Sequence, residues 1–407
     1  MAAYTLSTRR CRRIIATLAL AGLVAGCSAT ASATTSIDPL TRFVEQDVTA
    51  GAPGVIVRVD NGGGRPIDIA RQAAWTTRDH RLAPGDQFRI GSNTKTVVAT
   101  LVLQLVAQDR VDLADSVEKW LPGLVPNGSA ITVRMLLNHS SGLFNYVNDI
   151  DVLKAFIGQD TRQWTPRELL AAVVKHDPLF APGQEYSYSN TGYVVLGLIV
   201  ERATGHRVAD LIQQRIAEPL GLTSTYLAPP DDFAKLAHGY EPDAAHIAPL
   251  LPPGTPPGLE FAGPDRGAFV DTTEINDSTE WAAGGMVSTA ADWARFQKAL
   301  LSGRLLPPAQ LREMETTVSE GPSIPDTAGL GLDRVVTPCG VVWGHDGQTA
   351  GYSSEGYTTS DGSRTVAIFT STVFGLKVPK AGAADKALRT AAICTMLGRP
   401  IPTAASH

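Results

Sequence analysis

Strand-like segments occur at both ends of this 407-residue chain, and helical patterns fill the region between them. Near the start, GVIVRVD (54–60) is rich in β-branched residues, and a glycine-rich turn leads to a second such segment in RPIDIARQAAW. Near the end, GVVWGHD, YSSEGYTTS and TVAIFTSTV have the same character. This order predicts an α/β (α+β) fold, with one antiparallel sheet built from both termini and an inserted all-helical lobe at about residues 110–300.

The first 26 residues have the pattern of an export signal. Four arginines precede an apolar run, 14–24, that is too short to span a bilayer. The run ends in LVAGC, which resembles a bacterial lipobox whose cysteine, here Cys27, carries the lipid. We therefore expect a lipid-anchored protein on the outer face of the bacterial cytoplasmic membrane. An ordinary signal peptide cut between Ala29 and Ala33, or twin-arginine export through Arg9-Arg10, are the alternatives.

Composition bounds the rest of the chain. Residues 27–39 are rich in Ser, Thr and Ala and are expected to form a flexible tether, residues 40–400 one domain of two lobes, and residues 401–407 a tail. Loss of the four signal arginines takes the formal charge from −5 to −9, so the exported domain is acidic. We expect no nucleic-acid partner and a membrane contact only through the anchor.

Two cysteines remain after export. Cys11 leaves with the signal and Cys27 is expected to be acylated. In an oxidising compartment, Cys339 and Cys394 most simply form one disulfide.

The segment IGSNTKTVVAT contains a serine and a lysine at helical spacing. Because residues i and i+3 share a helix face, Lys95 can reach the hydroxyl of Ser92 and activate it as a nucleophile. The helix that follows is apolar, so the pKa of Lys95 is expected to be lowered. A second S-x-x-K, Ser116 to Lys119, lies among acidic residues and is interpreted as a solvated surface.

A second candidate element is Tyr188-Ser189-Asn190 in YSYSNTGY. A lysine cation nearby would lower the pKa of Tyr188 and make it a general base. Asn190 could accept a hydrogen bond from Lys95 and donate one to a substrate carbonyl. Tyr146-Val147-Asn148 matches the same pattern without the proline-glycine turn before it or the long apolar helix after it.

The third element is His345-Asp346-Gly347, after a β-branched strand. It is interpreted as an edge strand along which an extended substrate can lie. Gly347 permits close backbone approach, and the N–H groups of Gln348 and Ser92 would form an oxyanion hole.

Together these three ordered motifs resemble the penicillin-recognising serine hydrolases of the class C β-lactamase type, and most of all actinobacterial D-alanyl-D-alanine carboxypeptidases. The wider text, including FRIGSNTK, VRMLLNHSSGL and AAGGMVSTAADWARFQKALLSG, covers roughly residues 37–400. The resemblance implies the β-lactamase/DD-peptidase fold, a disulfide between Cys339 and Cys394, and an acyl-enzyme on Ser92. Lys95 and Tyr188 would share the serine proton, and His345 would polarise Tyr188 and line the pocket. It implies no metal and no organic cofactor.

Two positions depart from the family pattern. Asp346 replaces the usual threonine, and Asp333 follows GLGL where the carboxypeptidases place a carboxylate-binding arginine. Arg334 comes one residue later and should face the opposite side of the strand. We therefore expect weak carboxypeptidase and β-lactamase activity and better turnover of neutral or cationic substrates. Alternatively, the segment 242–264, too proline-rich for regular structure and expected to cover the site, or Arg266 supplies the missing cation.

The leading hypothesis is thus a lipid-anchored serine hydrolase, most like a D-alanyl-D-alanine carboxypeptidase, acting on a small molecule or peptide such as a peptidoglycan stem peptide or an ester. An esterase or amidase, or a weak β-lactamase, are alternatives within the family. A catalytically idle penicillin-binding or sensor lipoprotein is the alternative from another class. Its usual sign is loss of the nucleophile, the lysine or the tyrosine, and all three are present.

Overall fold

The computed structural model describes residues 39–227, 235–251 and 255–402. The predicted signal peptide, the lipidation site Cys27, nearly all of the tether and most of the tail lie outside these ranges. No helix among the described residues is long and apolar enough to cross a bilayer.

An eight-stranded antiparallel sheet combines strands from both ends of the chain, as predicted. Its order is β2-β1-β13-β12-β11-β10-β9-β8. The strands of the described chain are β1 (Gly54–Asp60), β2 (Ile67–Gln72), β3 (Phe88–Arg89), β4 (Tyr226–Leu227), β5 (Tyr240–Pro242), β6 (Phe269–Asp271), β7 (Met286–Ser288), β8 (Val318–Ser319), β9 (Thr327–Ala328), β10 (Asp333–Thr337), β11 (Gly340–Thr349), β12 (Tyr352–Thr358) and β13 (Thr365–Thr370).

Helices cover the sheet and fill the middle of the chain. They are α1 (Pro39–Ala50), α2 (Thr94–Ala107), α3 (Val117–Trp120), α4 (Val133–Leu137), α5 (Ile150–Phe156), α6 (Pro166–Val173), α7 (Asn190–Thr204), α8 (Val208–Ile212), α9 (Glu218–Leu220), α10 (Ala244–Ile247), α11 (Trp281–Gly284), α12 (Ala290–Leu301), α13 (Pro308–Met314) and α14 (Pro379–Leu397).

The alternation of side chains along β1 separates two hydrophobic cores. Val55, Val57 and Val59 pack in one cluster with buried side chains of α1 and α14. Ile56 points to the opposite face and belongs to the larger cluster that includes α2, α7 and α12. Because successive strand residues face opposite sides, one β-branched strand can serve both layers.

The inserted region is mainly helical, but the prediction that it is entirely helical is wrong. Short strand pairs lie within it: β4 pairs with β7, and β5 pairs with β6. The proline-rich segment 242–264 also contains regular structure, because Asp243 caps α10 by accepting from the His246 N–H at 2.9 Å.

A disulfide joins Cys339 to Cys394, with 5.3 Å between the Cα atoms, and the pairing is confirmed. It ties the turn between β10 and β11 to α14. The strand that carries the third motif is therefore held at its start by a covalent bond to the last helix.

Candidate active site

The serine and lysine of the first motif meet at the start of α2. Ser92 lies in a single 3₁₀ turn, Gly91–Asn93, directly before the helix. Lys95 is fully buried, and its Nζ donates to Ser92 Oγ at 2.9 Å. The spacing of three residues thus brings the lysine to the serine, as expected.

Two other acceptors orient the lysine. Its Nζ also donates to Asn190 Oδ1 at 2.6 Å and to the Ala283 carbonyl at 2.7 Å. A neutral amine has two N–H groups and one lone pair. With the N–H groups directed at Asn190 and Ala283, the lone pair faces Ser92. The arrangement can therefore accept the serine proton.

Burial lowers the pKa of Lys95 to about 7, against the opposing effect of the carboxylates of Glu280, Asp346 and Asp333. The expected lowering is confirmed. A substantial share of Lys95 is thus neutral at neutral pH, which a base acting on Ser92 requires.

Tyr188 is held by a histidine that the sequence analysis did not assign a role. The backbone N–H of Ser189 donates to His139 Nδ1 at 3.2 Å, and the Ser187 N–H donates to the His139 carbonyl at 2.9 Å. The His139 ring packs on Tyr188 with centroids 4.4 Å apart. Lys95 Nζ lies 4.9 Å from the centre of the Tyr188 ring. The loop before α7 is thus held in place, and it brings Tyr188 next to Ser92 and Lys95.

The expectation that Lys95 lowers the pKa of Tyr188 is wrong. Burial raises this pKa well above its ordinary value; Ser92 lowers it, and the charges of Asp346 and Asp333 raise it further. Desolvation of the phenolate exceeds any attraction to the lysine. In the free protein Tyr188 is therefore a phenol, suited to donate a proton, and Lys95 is the base.

Strand β11 is an edge strand only in its second half. Its pairing with β10 ends at Asp333 opposite Gly344, whereas its pairing with β12 continues to Thr349. Residues 345–349 thus leave one backbone edge unpaired by β10. The predicted edge is present in this half, whereas Trp343 and Gly344 are paired on both sides. Binding of substrate along this edge stays a prediction.

The turn that carries Ser92 packs closely on one face of this half of β11. A Cβ at Gly347 would lie 2.8 Å from the Ser92 nitrogen, and one at Gly91 would lie 2.6 Å from the Gln348 nitrogen. Real Cβ atoms do not tolerate such distances, so both positions require glycine. The backbone N–H groups of Ser92 and Gln348 are thereby brought together, as the predicted oxyanion hole needs.

His345 lies behind the pocket rather than in its wall. It is 4% exposed, its Nε2 is 3.7 Å from an Asp333 carboxylate oxygen, and its Nδ1 hydrogen-bonds with the Asp346 carbonyl. Burial lowers the pKa of His345, which keeps the imidazole neutral. Its ring centroid is 6.2 Å from that of Tyr188. His345 was expected to line the pocket, but the residues of this motif that line it are Asp346 and Gly347.

The two aspartates differ in charge. Asp333 is half-buried beside Asp346, and desolvation together with that neighbouring charge raises the pKa of Asp333 to about 8. At pH 7 its carboxyl is mostly protonated in the free protein. The Asp346 side chain is 56% exposed and lines the pocket. Repulsion of a substrate carboxylate therefore falls mainly on Asp346, not on both residues as expected.

A pocket of about 490 Å³ opens in front of Ser92, Tyr188 and Asn190. Its apolar walls are formed by Val147, Leu153, Phe156, Phe261, Val373 and Phe374. Phe261 belongs to the segment 242–264, so that segment forms part of the wall. Among the described residues that line this pocket, the cationic side chain is Lys377, whose Nζ lies 3.7 Å from the centre of the Phe374 ring.

Arg266 does not supply a cation to the pocket. It donates to Asp79 at 2.8 Å and lies 3.6 Å from Asp271. These two carboxylates and His238 present ligand atoms within 4.8 Å of one another, as a metal site would. The guanidinium already compensates their charge, and His238 is 2.7 Å from Asp271, so we interpret the group as an ion-pair network.

The second S-x-x-K match (Ser116 to Lys119) and the second Tyr-x-Asn match (Tyr146 to Asn148) have structural roles. Ser116 caps α3 by accepting from the Lys119 N–H at 3.3 Å, and Lys119 pairs with Asp115 at the surface. Tyr146 is buried and donates to the Thr279 carbonyl at 2.6 Å. Asn148 of the same motif does line the pocket, which sequence spacing alone did not indicate.

We predict that the two S-x-x-K motifs separate completely in function. Ser92→Ala and Lys95→Met should each lower ester hydrolysis at least about 1,000-fold, since they remove the nucleophile or its base. The matched variants Ser116→Ala and Lys119→Met should keep the activity, and Ser116→Ala should cost only about 1 kcal/mol of stability as a lost helix cap. Steady-state kinetics and thermal unfolding of the four proteins test this. A comparable loss of activity in the second pair would contradict it.

We predict an acid limb near pH 7 in kcat/KM. Only neutral Lys95 can accept the Ser92 proton, and its pKa is lowered to about 7 in the folded protein. Activity should therefore rise with pH through about 7 and fall roughly tenfold per unit below it. The profile of a neutral nitrophenyl ester between pH 5 and 9 measures this, with Lys119→Met as the control. A flat profile between pH 5 and 7 would exclude Lys95 as the base.

Comparison with known proteins agrees with this geometry. The Beta-lactamase family profile matches residues 40–390. The chain is 35% identical over 208 residues to Esterase EstB of Burkholderia gladioli, covering 47% of this chain and about half, 52%, of that relative's length. It is 26% identical to a putative D-alanyl-D-alanine carboxypeptidase of Escherichia coli O157:H7, covering 81% of this chain and 79% of the relative. A D-stereospecific amidohydrolase from Streptomyces sp. superposes with a TM-score of 0.72 at 33% identity, covering 83% of this chain and 95% of that one. The chain therefore belongs to the Beta-lactamase family and has the penicillin-binding protein/β-lactamase fold.

Proposed function

We propose that this protein hydrolyses esters and amides that carry no free carboxylate beside the scissile bond, through an acyl-enzyme on Ser92. The observation that carries this substrate preference is the exposed carboxylate of Asp346 at the free edge of β11. The names of an esterase and an amidohydrolase among the similar proteins support the same class.

The contacts suggest an order of proton transfers. Ser92 attacks the carbonyl carbon while its proton passes to Lys95, 2.9 Å away. The developing oxyanion is stabilised by the N–H groups of Ser92 and Gln348. Tyr188, held as a phenol by burial, then donates its proton to the leaving alcohol or amine, and the proton on Lys95 restores the phenol. Water attacks the acyl-enzyme with the same groups acting in reverse.

Electrostatic repulsion is the reason to expect only weak D-alanyl-D-alanine carboxypeptidase activity. A substrate with a terminal carboxylate would place that carboxylate beside Asp346, where the two negative charges repel each other. Solvent and salt screen this repulsion at an exposed site, to roughly 1–2 kcal/mol. A neutral ester or amide meets no such penalty.

We expect Asp346→Thr to raise kcat/KM for a peptide ending in D-Ala-D-Ala about tenfold, because it removes the repelling charge. The same change should leave a neutral nitrophenyl ester nearly unaffected. Asp333→Asn is the matched control. It should change the ratio of kcat/KM for the peptide to kcat/KM for the ester less, because Asp333 is mostly protonated at pH 7. Wild-type release of D-alanine at a rate comparable to ester hydrolysis would refute the proposed preference.

We also propose that the chain is exported and anchored by a lipid on Cys27. The basic and apolar pattern before LVAGC supports this, as does a disulfide, which persists in oxidising compartments. In a bacterial host fed a clickable fatty acid, we expect label on the wild type and on Cys11→Ser, and none on Cys27→Ser, which should leave the membrane fraction. An unlabelled wild-type protein would refute lipidation.

A further inference from the structure

Glu280 is a buried carboxylate in the wall of the active-site pocket that the mechanism above does not use. It directly precedes α11, is 5% exposed, and lines the same pocket as Ser92. Its backbone carbonyl accepts from the N–H of Ala283 at 2.8 Å, but its side chain does not cap the helix. One carboxylate oxygen, Oε2, lies over Gly284, where a Cβ would be 1.9 Å away, and the side chain forms part of the pocket wall.

This carboxylate has no direct ion-pair partner in the described parts of the chain. No Lys, Arg or His nitrogen of those residues lies within 4.0 Å of it. Lys95 is a nearby cation, but its three hydrogen bonds go to other acceptors. Arg89 pairs with Asp277 at 3.2 Å. An ionised carboxylate so placed is costly to bury unless a cation reaches it.

Its neighbour on β11 identifies the side of the substrate it faces. The Thr349 hydroxyl donates a hydrogen bond to the Glu280 carboxylate, and Asp346 lies three residues earlier on the same strand. At about 3.3 Å per residue the two positions are roughly 10 Å apart along the edge. Gln348, the oxyanion donor, lies between them. In the proposed binding mode, a leaving-group carboxylate would lie beside Asp346, so Glu280, at the other end of this segment, faces the acyl side.

We propose that Glu280 binds a free ammonium group on the acyl part of the substrate, so that the preferred substrates are esters and amides of amino acids or peptides with an unblocked amino group. The inference rests on the proposed acyl-enzyme function and specifies its substrate class. An α-amino group is largely protonated at pH 7 and can donate to this carboxylate.

Glu241 provides a matched control, because it also is a buried carboxylate that lines the pocket. Its oxygens accept from the N–H groups of Gly351, Val373 and Phe374 and from the Thr372 hydroxyl. These donors already satisfy it, so it should not discriminate between amines.

The test compares alanine 4-nitroanilide with N-acetylalanine 4-nitroanilide, each as both enantiomers, on the wild type, Glu280→Gln and Glu241→Gln. We expect the wild type to prefer the free amine, and Glu280→Gln to reduce that preference roughly 10- to 100-fold. Glu241→Gln should keep the ratio. The ratio is taken from kcat/KM values, which depend on the protonation of Lys95 in the same free enzyme, so a change in that pKa cancels.

Equal losses on both substrates in Glu280→Gln would overturn the proposal and show that Glu280 acts through Lys95. If that variant does not fold, competitive inhibition of the wild type by alanine amide and by N-acetylalanine amide decides the matter. Tighter binding of the free amine supports the proposal, and equal binding overturns it. Ser92-dependent turnover of the acetylated substrate tests the proposed function independently of either ratio.

Discussion

The geometry of the active site depends on the three hydrogen bonds of the buried Lys95 side chain. An ammonium or amine without solvent must have its protons accepted, and the three acceptors come from the Ser92 turn, the start of α7 and the α11 segment. Moving any one of these elements would leave a costly unpaired group, so the lysine fixes three parts of the chain relative to one another. In the neutral amine, the bonds to Asn190 and Ala283 direct the lone pair to Ser92, so stability and catalysis rest on one geometry.

The second constraint is where the sheet stops. Strand β10 ends opposite Gly344, and the next residues of β11, which face the Ser92 turn, are paired with β12 alone. An unpaired strand edge would ordinarily invite association with another chain. Here the Ser92 turn packs on the face of the same residues closely enough to require glycine at two positions. What remains open is a short segment, long enough to hold one extended substrate.

Sequence reasoning succeeded where the signal is local. The β-branched composition of β1 and the helical spacing from Ser92 to Lys95 depend on neighbours in the chain, and the strand and the contact that they predict are both found in the structure. Sequence reasoning failed where groups distant in the chain converge. The Ala283 group that accepts from Lys95 is a backbone carbonyl, which no residue type reveals. Lys377 lines the pocket but lies far in sequence from all three motifs. The sign of the Tyr188 pKa shift was wrong for a related reason, since burial is a property of the assembled fold and outweighs the nearby cation.

The charge of this pocket can follow its ligand. Burial raises the pKa of Glu280 to about 7, and burial with the charge of Asp346 raises the pKa of Asp333 to about 8, so near neutral pH either group gains or loses a proton for about 1.4 kcal/mol or less. Each carboxylate that ionises raises the pKa of Lys95 and withdraws the base. A cationic substrate group beside Glu280 would compensate that charge and return Lys95 to its neutral form. Binding of the right substrate and readiness of the base are thus coupled through the same buried charges.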